Sequence, residues 1–184
     1  MIAHMRSATR WRLSVAGIAL LSVACRGRGA AARAESGAAD NGSANSQAAV
    51  RLERGPCRGF CPEYTVELFD DGTVRFDGRR NVQMSGAQQS RIPAAAVKAL
   101  RESIASSVFA TADTAYVYES AGCGRYATDI PVNVLTVRLA SSHKSVRRDG
   151  GCQGAPAALA ALEARVDSVA NTRQWISKDG GTTR

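Results

Sequence analysis

Histidine is nearly missing from this chain, which has 184 residues and only two histidines, His4 and His143. A Ser-His-Asp or Cys-His catalytic site in the folded part would therefore have to use His143, and no pattern points to that residue. The nucleophile motif G-x-S-x-G, the zinc motif H-E-x-x-H and the phosphate-binding P-loop are also missing. These absences favour a non-enzymatic protein and predict no cofactor.

The chain also lacks a basic surface of the kind that binds nucleic acid. The formal net charge is +8, but residues 1–34 contain six arginines and no acidic residue. Residues 35–184 hold 18 basic against 16 acidic side chains, a net charge of +2. These charges are interspersed and form no basic stripe with interleaved aromatics, so we expect no nucleic-acid partner.

The first 25 residues have the layout of an export signal. Three arginines precede an apolar run of 12 residues, 13–24, which ends in small residues. A run of this length is too short for a permanent transmembrane helix. Cys25 follows the run directly and resembles the cysteine of a bacterial lipobox, which receives a diacylglycerol. We expect Cys25 to be lipidated; ordinary secretion with cleavage after Ala24 or Ala34, or a retained anchor, are the alternatives.

The rest of the chain divides into a linker, one domain and a short tail. Residues 26–48 are rich in Gly, Ala, Ser and Asn, which cannot bury enough surface to offset the entropy of ordering. They predict a disordered tether. Residues 49–178 are long enough for a single domain with one core, and residues 179–184 are expected to be disordered. Nothing after residue 34 is apolar enough to predict a transmembrane span.

The segment YTVELFDDGTVRFDG predicts a β-hairpin. A three-residue loop that ends in Gly72 pairs Leu68 with Val74, so the apolar positions of both strands share one face. The same register places Glu67 opposite Arg75 on the other face. A two-residue loop would mix the faces, so we expect the three-residue form.

The remaining periodicities predict the order β-β-β-(β)-α-β-β-α. They consist of a first strand near residues 50–53, a weaker alternation at Val82 and Met84 that breaks at Gly86, a helix after Pro93, strands at 132–139 and 144–148, and a helix from Pro156 to about Asn171. Hairpins dominate this order. It predicts an α+β domain, an antiparallel β-sheet built from hairpins with two α-helices packed on one face.

Residues 110–130 show no regular pattern and hold Tyr116, Tyr118 and Tyr126. The three tyrosines could form a stacking surface for a sugar or a peptide. Partial burial in the core of a long loop is the simpler interpretation, and we expect it here.

The opening of the domain, GPCRGFCPEYTVELFDDGTVRFDG, resembles that of a bacterial domain of unknown function common in lipoproteins and other exported proteins. The shared signature is C-x-G-x-C-P-x-Y followed by a strand and D-G-x-V. The later stretches TDIP, VLTVRL and QWI are also similar, so the resemblance covers about residues 50–177. It implies an exported α+β domain with a constant Cys57/Cys61 pair, to which Cys123 and Cys152 are an optional addition. It implies no activity.

Four cysteines follow the export signal: Cys57, Cys61, Cys123 and Cys152. An even number in an exported chain predicts two disulfides. In a straight strand the first two Cα atoms would lie about 13 Å apart, so a bond between them needs a sharp turn, which Gly59 permits. We favour Cys57 with Cys61 and Cys123 with Cys152, and the two crossed pairings stay open.

Two other uses of Cys57 and Cys61 compete with a structural disulfide. C-x-x-x-C-P also occurs in copper-delivery proteins of thioredoxin fold, where two thiolates and a histidine, here His143, would hold Cu(I). That fold needs a helix after the second cysteine, but here the alternation predicts a strand. A redox dithiol would need a lowered thiolate pKa, to which Arg58 could contribute, yet the C-x-x-C spacing is missing.

These patterns together predict an uncharacterised envelope lipoprotein domain, a non-enzymatic binding or structural module stabilised by disulfides. We expect it to be anchored to the membrane by its N-terminal lipid, to face the periplasm and to contact an envelope partner. A soluble periplasmic or secreted form is the alternative location. An exported thiol-redox or copper protein that uses Cys57 and Cys61 is the alternative function. No resident metal site is predicted otherwise.

Overall fold

The computed structural model describes residues 47–140 and 142–176. The predicted export signal, Cys25, nearly all of the predicted linker and the 179–184 tail lie outside these residues. Within the described ranges, no helix has the length and apolar character needed to cross a membrane.

The described residues form an α+β fold with a seven-stranded sheet and two main helices. The elements in chain order are β1 (Val50–Arg54), β2 (Glu63–Leu68), β3 (Thr73–Arg80), β4 (Gly86–Arg91), α1 (Ala94–Ala105), a 3-10 turn (Val108–Ala110), β5 (Ala115–Tyr116), β6 (Val132–Arg138), β7 (His143–Asp149), α2 (Ala157–Ala170) and the short α3 (Arg173–Ile176). The strand order in the sheet is β4-β3-β2-β1-β6-β7-β5.

The sheet is mixed, so the expectation of a purely antiparallel sheet is wrong. Every other neighbouring pair is antiparallel, but β5 runs parallel to β7, with Ala115 opposite Arg147 and Tyr116 opposite Arg148. β5 lies within the segment that shows no sequence periodicity. It pairs with a strand that is not its neighbour in the chain, and therefore no tight turn fixes its direction.

The predicted β2–β3 hairpin is confirmed in its loop and its register. Leu68 pairs with Val74 and Glu67 with Arg75. The amide of Phe69 donates to the carbonyl of Thr73 at 2.9 Å, which leaves three residues in the loop. The last of them, glycine 72, has a φ of 87°, a conformation that favours glycine.

The fourth strand begins at a later residue than the sequence pattern predicts. Val82 and Met84 lie in the β3–β4 connection, and β4 begins at Gly86, where the predicted alternation ends. The amides of Gln83 and Met84 donate to the carbonyls of Ile176 and Trp175, at 3.1 and 3.0 Å. These two residues therefore bond to α3 instead of pairing with a strand. The alternation of their side chains does not reveal this.

Both long helices follow a proline, as predicted. Pro93 precedes α1 and Pro156 precedes α2, and Asn171 ends α2 in a left-handed conformation with a φ of 52°. α1 packs against β6 and α2, whereas α2 also packs against β1 and β2. The buried side chains of strands and helices form one hydrophobic cluster.

Candidate functional site

The two disulfides lie at the same end of the sheet. Cys57 is joined to Cys61, with their Cα atoms 5.8 Å apart, and Cys123 to Cys152, with Cα atoms 4.5 Å apart. This is the pairing that the spacing and the glycines favour. Gly59, inside the shorter loop, has a φ of 141°. We call this end of the sheet, formed by residues 55–62, 81–85, 117–131 and 150–155, the loop end.

The opposite end carries the tight β2–β3 and β6–β7 turns, and we call it the turn end. His143 lies there, as the exposed first residue of β7 and not in the turn where the sequence places it. It pairs with Arg138, whereas Asn133 of the same strand pairs with Arg54, three residues before Cys57. At about 3.3 Å per residue, these two ends of β6 lie about 17 Å apart. The structure does not bring His143 to the Cys57–Cys61 pair.

No group of three or more His, Cys, Asp or Glu side chains could hold a metal ion within residues 47–140 and 142–176. A cleft of about 390 Å³ does lie beside the Cys57–Cys61 loop. Its volume is within the range of small-molecule sites. It is lined by Arg54, Gly55, Cys61, Pro62, Tyr64, Pro131, Asn133, Asp167, Thr172, Arg173 and Ile176.

Three of these lining residues, Arg54, Asn133 and Asp167, belong to a largely buried ion network. Arg54 donates to Glu163 at 2.9 Å and to Asp167 at 2.6 Å. Arg148 donates to both carboxylate oxygens of Glu163, at 2.8 and 2.6 Å, and the amide of Asn133 donates to the same residue at 2.8 Å. The side chain of Glu163 is only 3% exposed. Such dense pairing offsets the desolvation of the buried charges and fixes α2 against the sheet.

Tyr64 extends the network into the hydrophobic core. Its hydroxyl donates to Asp167 at 2.7 Å, and its ring lies 5.1 Å from that of Phe76, which stacks on Trp175 at 4.9 Å. Burial, and then the neighbouring Asp167 charge, raise the pKa of the Tyr64 phenol well above 10. The hydroxyl therefore stays protonated and continues to donate.

Sequence reasoning misses this network, although one signal for it exists. Glu163 falls within the buried stripe of α2, beside Leu162 and Val166. An acidic side chain at such a position needs a buried partner. Asp167 follows four residues later on the same face, but no pattern in the sequence identifies Arg54 and Arg148 as the partners.

The described residues expose five large apolar side chains, and all five lie at the loop end: Phe60, Met84, Tyr118, Tyr126 and Ile130. Phe60 is 88% exposed and Tyr118 61% exposed. Tyr116 is buried and Tyr126 is 37% exposed, so the expectation of partial burial is wrong only for Tyr118. The rings of Tyr118 and Tyr126 contact each other, with centroids 4.9 Å apart, and the hydroxyl of Tyr126 donates to Asp149 at 3.0 Å.

The Cys57–Cys61 loop is also attached to the segment before β6. The amide of Arg58 donates to the carbonyl of Asp129 at 3.3 Å, and the two side chains form an ion pair at 3.8 Å. Phe60 is thus presented on a closed loop that is fixed to its neighbour.

Comparison with known proteins places this arrangement in a family. A family model described as "Domain of unknown function (DUF6438)" matches residues 48–170. The chain belongs to this family. The match begins just before β1 and ends with α2, so the DUF6438 domain includes both disulfides, the ion network and the loop end. No curated protein matches the chain.

Proposed function

We propose that this protein is a non-enzymatic binding module of the bacterial cell envelope that contacts a protein partner through its loop end. Five exposed apolar side chains on the loops of one end of the sheet carry the proposal. Exposed aromatic and aliphatic side chains that all lie at one end of a domain are typical of interaction sites rather than of ordinary surface.

The Cys57–Cys61 bond supports this role because it holds Phe60 in place before any partner arrives. The bond closes a loop of five residues around Gly59. A loop that is already ordered loses less conformational entropy on binding, which leaves more of the contact energy for affinity. In this role the disulfide is structural, and it positions Phe60 for the contact.

The proposal includes a lipid anchor at Cys25 and a tether over residues 26–48. Chain that precedes β1 reaches the sheet at the turn end, because Val50 pairs with Leu68 and Val137 there. β1 then runs for five residues toward the loop end. A flexible tether of this length has an end-to-end distance of about 26 Å. The chain therefore enters the domain at the end of the sheet opposite the proposed contact surface.

The same proposal takes α1 and α2 to cover one face of the sheet. Leu52, Val66 and Leu135 from three strands share a single buried cluster with Leu100 of α1 and Leu159 of α2. Because both helices then bury their apolar faces against the sheet, the exposed apolar side chains are those of the loops at its end.

Site-specific photocrosslinking in the native envelope tests the binding role. A photoreactive benzoylphenylalanine in place of Phe60 or Tyr118 is expected to give the same discrete protein adduct. The matched control is Arg165, which is exposed on α2. An identical adduct from position 165, or no adduct from positions 60 and 118, would contradict the proposal.

Fractionation tests the anchor separately. Cys25→Ser removes the thiol that would be acylated, so the protein is expected to move from the membrane pellet to the soluble fraction. Retention of the variant in the pellet would exclude a lipid at Cys25 as the anchor.

A thiol count separates the binding module from the alternative of a thiol-redox or copper protein. The protein purified without reductant, and carrying Cys25→Ser, is expected to show no reactive thiol after denaturation and four after reduction. Two free thiols at Cys57 and Cys61, or their protection by copper, would favour the alternative.

A further inference from the structure

We infer that β4 is an interaction surface at which two copies of this chain pair edge to edge. β4 is not part of the loop end, and its pairing does not depend on a contact there. The two edges of the sheet differ in length.

One edge of the sheet is short, and the other is fully formed. β5, at one edge, has only two residues. β4, at the other edge, has six residues and pairs with β3 along its whole length, from Gly86 opposite Gly78 to Arg91 opposite Thr73. Natural edge strands are usually short, charged, bulged, interrupted by proline or covered. β4 is neither short nor bulged, contains no proline and carries one charge, Arg91 at its last residue. No strand lies beyond it in residues 47–140 and 142–176.

The backbone of β4 offers alternating donors and acceptors to a further strand. The amide of Ile92 donates to the carbonyl of Gly72 at 2.9 Å, so this residue points its backbone groups toward β3. Backbone direction alternates along a strand. Ala87, Gln89 and Arg91 therefore direct their N–H and C=O groups away from β3.

A second copy of the strand fits this edge without a charge conflict. An antiparallel pair centred on Gln89 places Gln89 opposite its own copy and Ala87 opposite Arg91. Each of these pairs exchanges two backbone hydrogen bonds, about six in all. No two like charges face each other, and Arg91 is already held by the carbonyl of Asp71 at 2.9 Å. Facing glutamine and alanine side chains make the edge complementary to itself.

The long helices make their main sheet contacts on strands other than β4. α1 packs against β6, and α2 packs against β1 and β2, which are central strands. A strand-to-strand contact of six residues is small, so we expect a reversible dimer and not a permanent one. Its dissociation constant is expected to be micromolar or weaker.

Analytical ultracentrifugation tests the dimer on protein that carries Cys25→Ser, which removes acylation. The sedimentation coefficient is expected to rise between about 1 µM and about 500 µM as dimer forms. Gln89→Glu is the informative variant. Within one copy, residue 89 lies opposite Arg75, so the new carboxylate suits the fold. Across the two-fold axis two carboxylates would meet, and dimerisation is expected to weaken at least tenfold.

Mixing two variants distinguishes edge pairing from a nonspecific charge effect. Gln89→Lys should also weaken self-association, whereas an equimolar mixture of Gln89→Glu and Gln89→Lys should restore a heterodimer. Gln83→Glu makes the same chemical change on an exposed residue outside β4 and is expected to leave dimerisation unchanged; circular dichroism checks that every variant is folded. The inference is wrong if the parent protein stays monomeric at 500 µM, if both charge variants dimerise like the parent, or if the mixture fails to associate.

Discussion

Glu163 is the residue on which the attachment of α2 to the sheet depends most directly. Its carboxylate accepts hydrogen bonds from Arg54, Arg148 and Asn133, which come from three different strands. With a side chain only 3% exposed, it cannot exchange these partners for water. Removing its charge therefore leaves Arg148 without its counter-ion and Arg54 with Asp167 alone, in a poorly hydrated place.

Glu163→Gln is expected to lower the free energy of unfolding by about 3–5 kcal/mol, the usual range for a broken buried ion pair. Glu102→Gln is the matched control, since Glu102 pairs with Lys98 on the exposed side of α1 at 3.9 Å. That change should alter stability by less than about 1 kcal/mol. Urea denaturation of both variants makes the comparison, and similar small losses would show that the network does not hold α2.

Tyr64 makes the stability sensitive to alkaline pH. Burial and the Asp167 charge raise its pKa in the folded state above the ordinary value of 10. Above pH 10 the unfolded chain releases this proton while the folded protein keeps it, so stability falls as the pH rises. The slope from this one group approaches about 1.4 kcal/mol per pH unit.

Tyr64→Phe is expected to lower stability by about 1–3 kcal/mol at pH 7, because Asp167 loses a buried donor. The variant should also lose part of the decline above pH 10, since it no longer carries the phenol. Denaturation curves of the two proteins between pH 8 and pH 11 measure both effects. Parallel pH profiles would assign the decline to other groups.

At the scale of elements, the sequence predicts what short-range contacts determine. The β2–β3 register follows from a local alternation and from Gly72, and both helices begin after a proline and end where their pattern ends. β4 is predicted too early because Gln83 and Met84 bond to α3, which lies far along the chain. β5 is missed because it pairs with β7, which is not its neighbour in the chain. The ion network is missed because its partners are also far apart in the chain: Arg54 and Glu163 are 109 residues apart.

Substitution of Gly72 tests how much the conformation of the hairpin loop contributes to stability. It combines a φ of 87° with a close approach, because an added Cβ would overlap the carbonyl oxygen of Ile92. Gly86 has a similar φ of 74° but open space around its Cα. Gly72→Ala is expected to cost about 3 kcal/mol or more, whereas Gly86→Ala should cost only about 1–2 kcal/mol from backbone strain. Equal losses in thermal or urea unfolding would show that the contact with Ile92 relaxes freely.

At the scale of the whole molecule, the two disulfides have different tasks. Cys123–Cys152 is buried in the core and joins segments 29 residues apart, attaching the irregular loop to the end of β7. Cys57–Cys61 spans only four residues and lies at the surface beside the cleft. A longer closed loop restricts the unfolded chain more. The Cys123–Cys152 bond is therefore expected to stabilise the fold more than the Cys57–Cys61 bond.

Paired serine variants measure this division. Replacing Cys123 and Cys152 is expected to lower stability by about 3.6 kcal/mol or more, and replacing Cys57 and Cys61 by about 2 kcal/mol, according to the length of the loop each bond closes. The second variant should stay folded, with unchanged far-ultraviolet circular dichroism, yet lose the crosslinked adduct from position 60 because the loop no longer presents its aromatic residue. An adduct of undiminished yield in that variant would show that the disulfide does not organise the contact surface. A larger stability loss from the shorter loop would reverse the roles assigned to the two bonds.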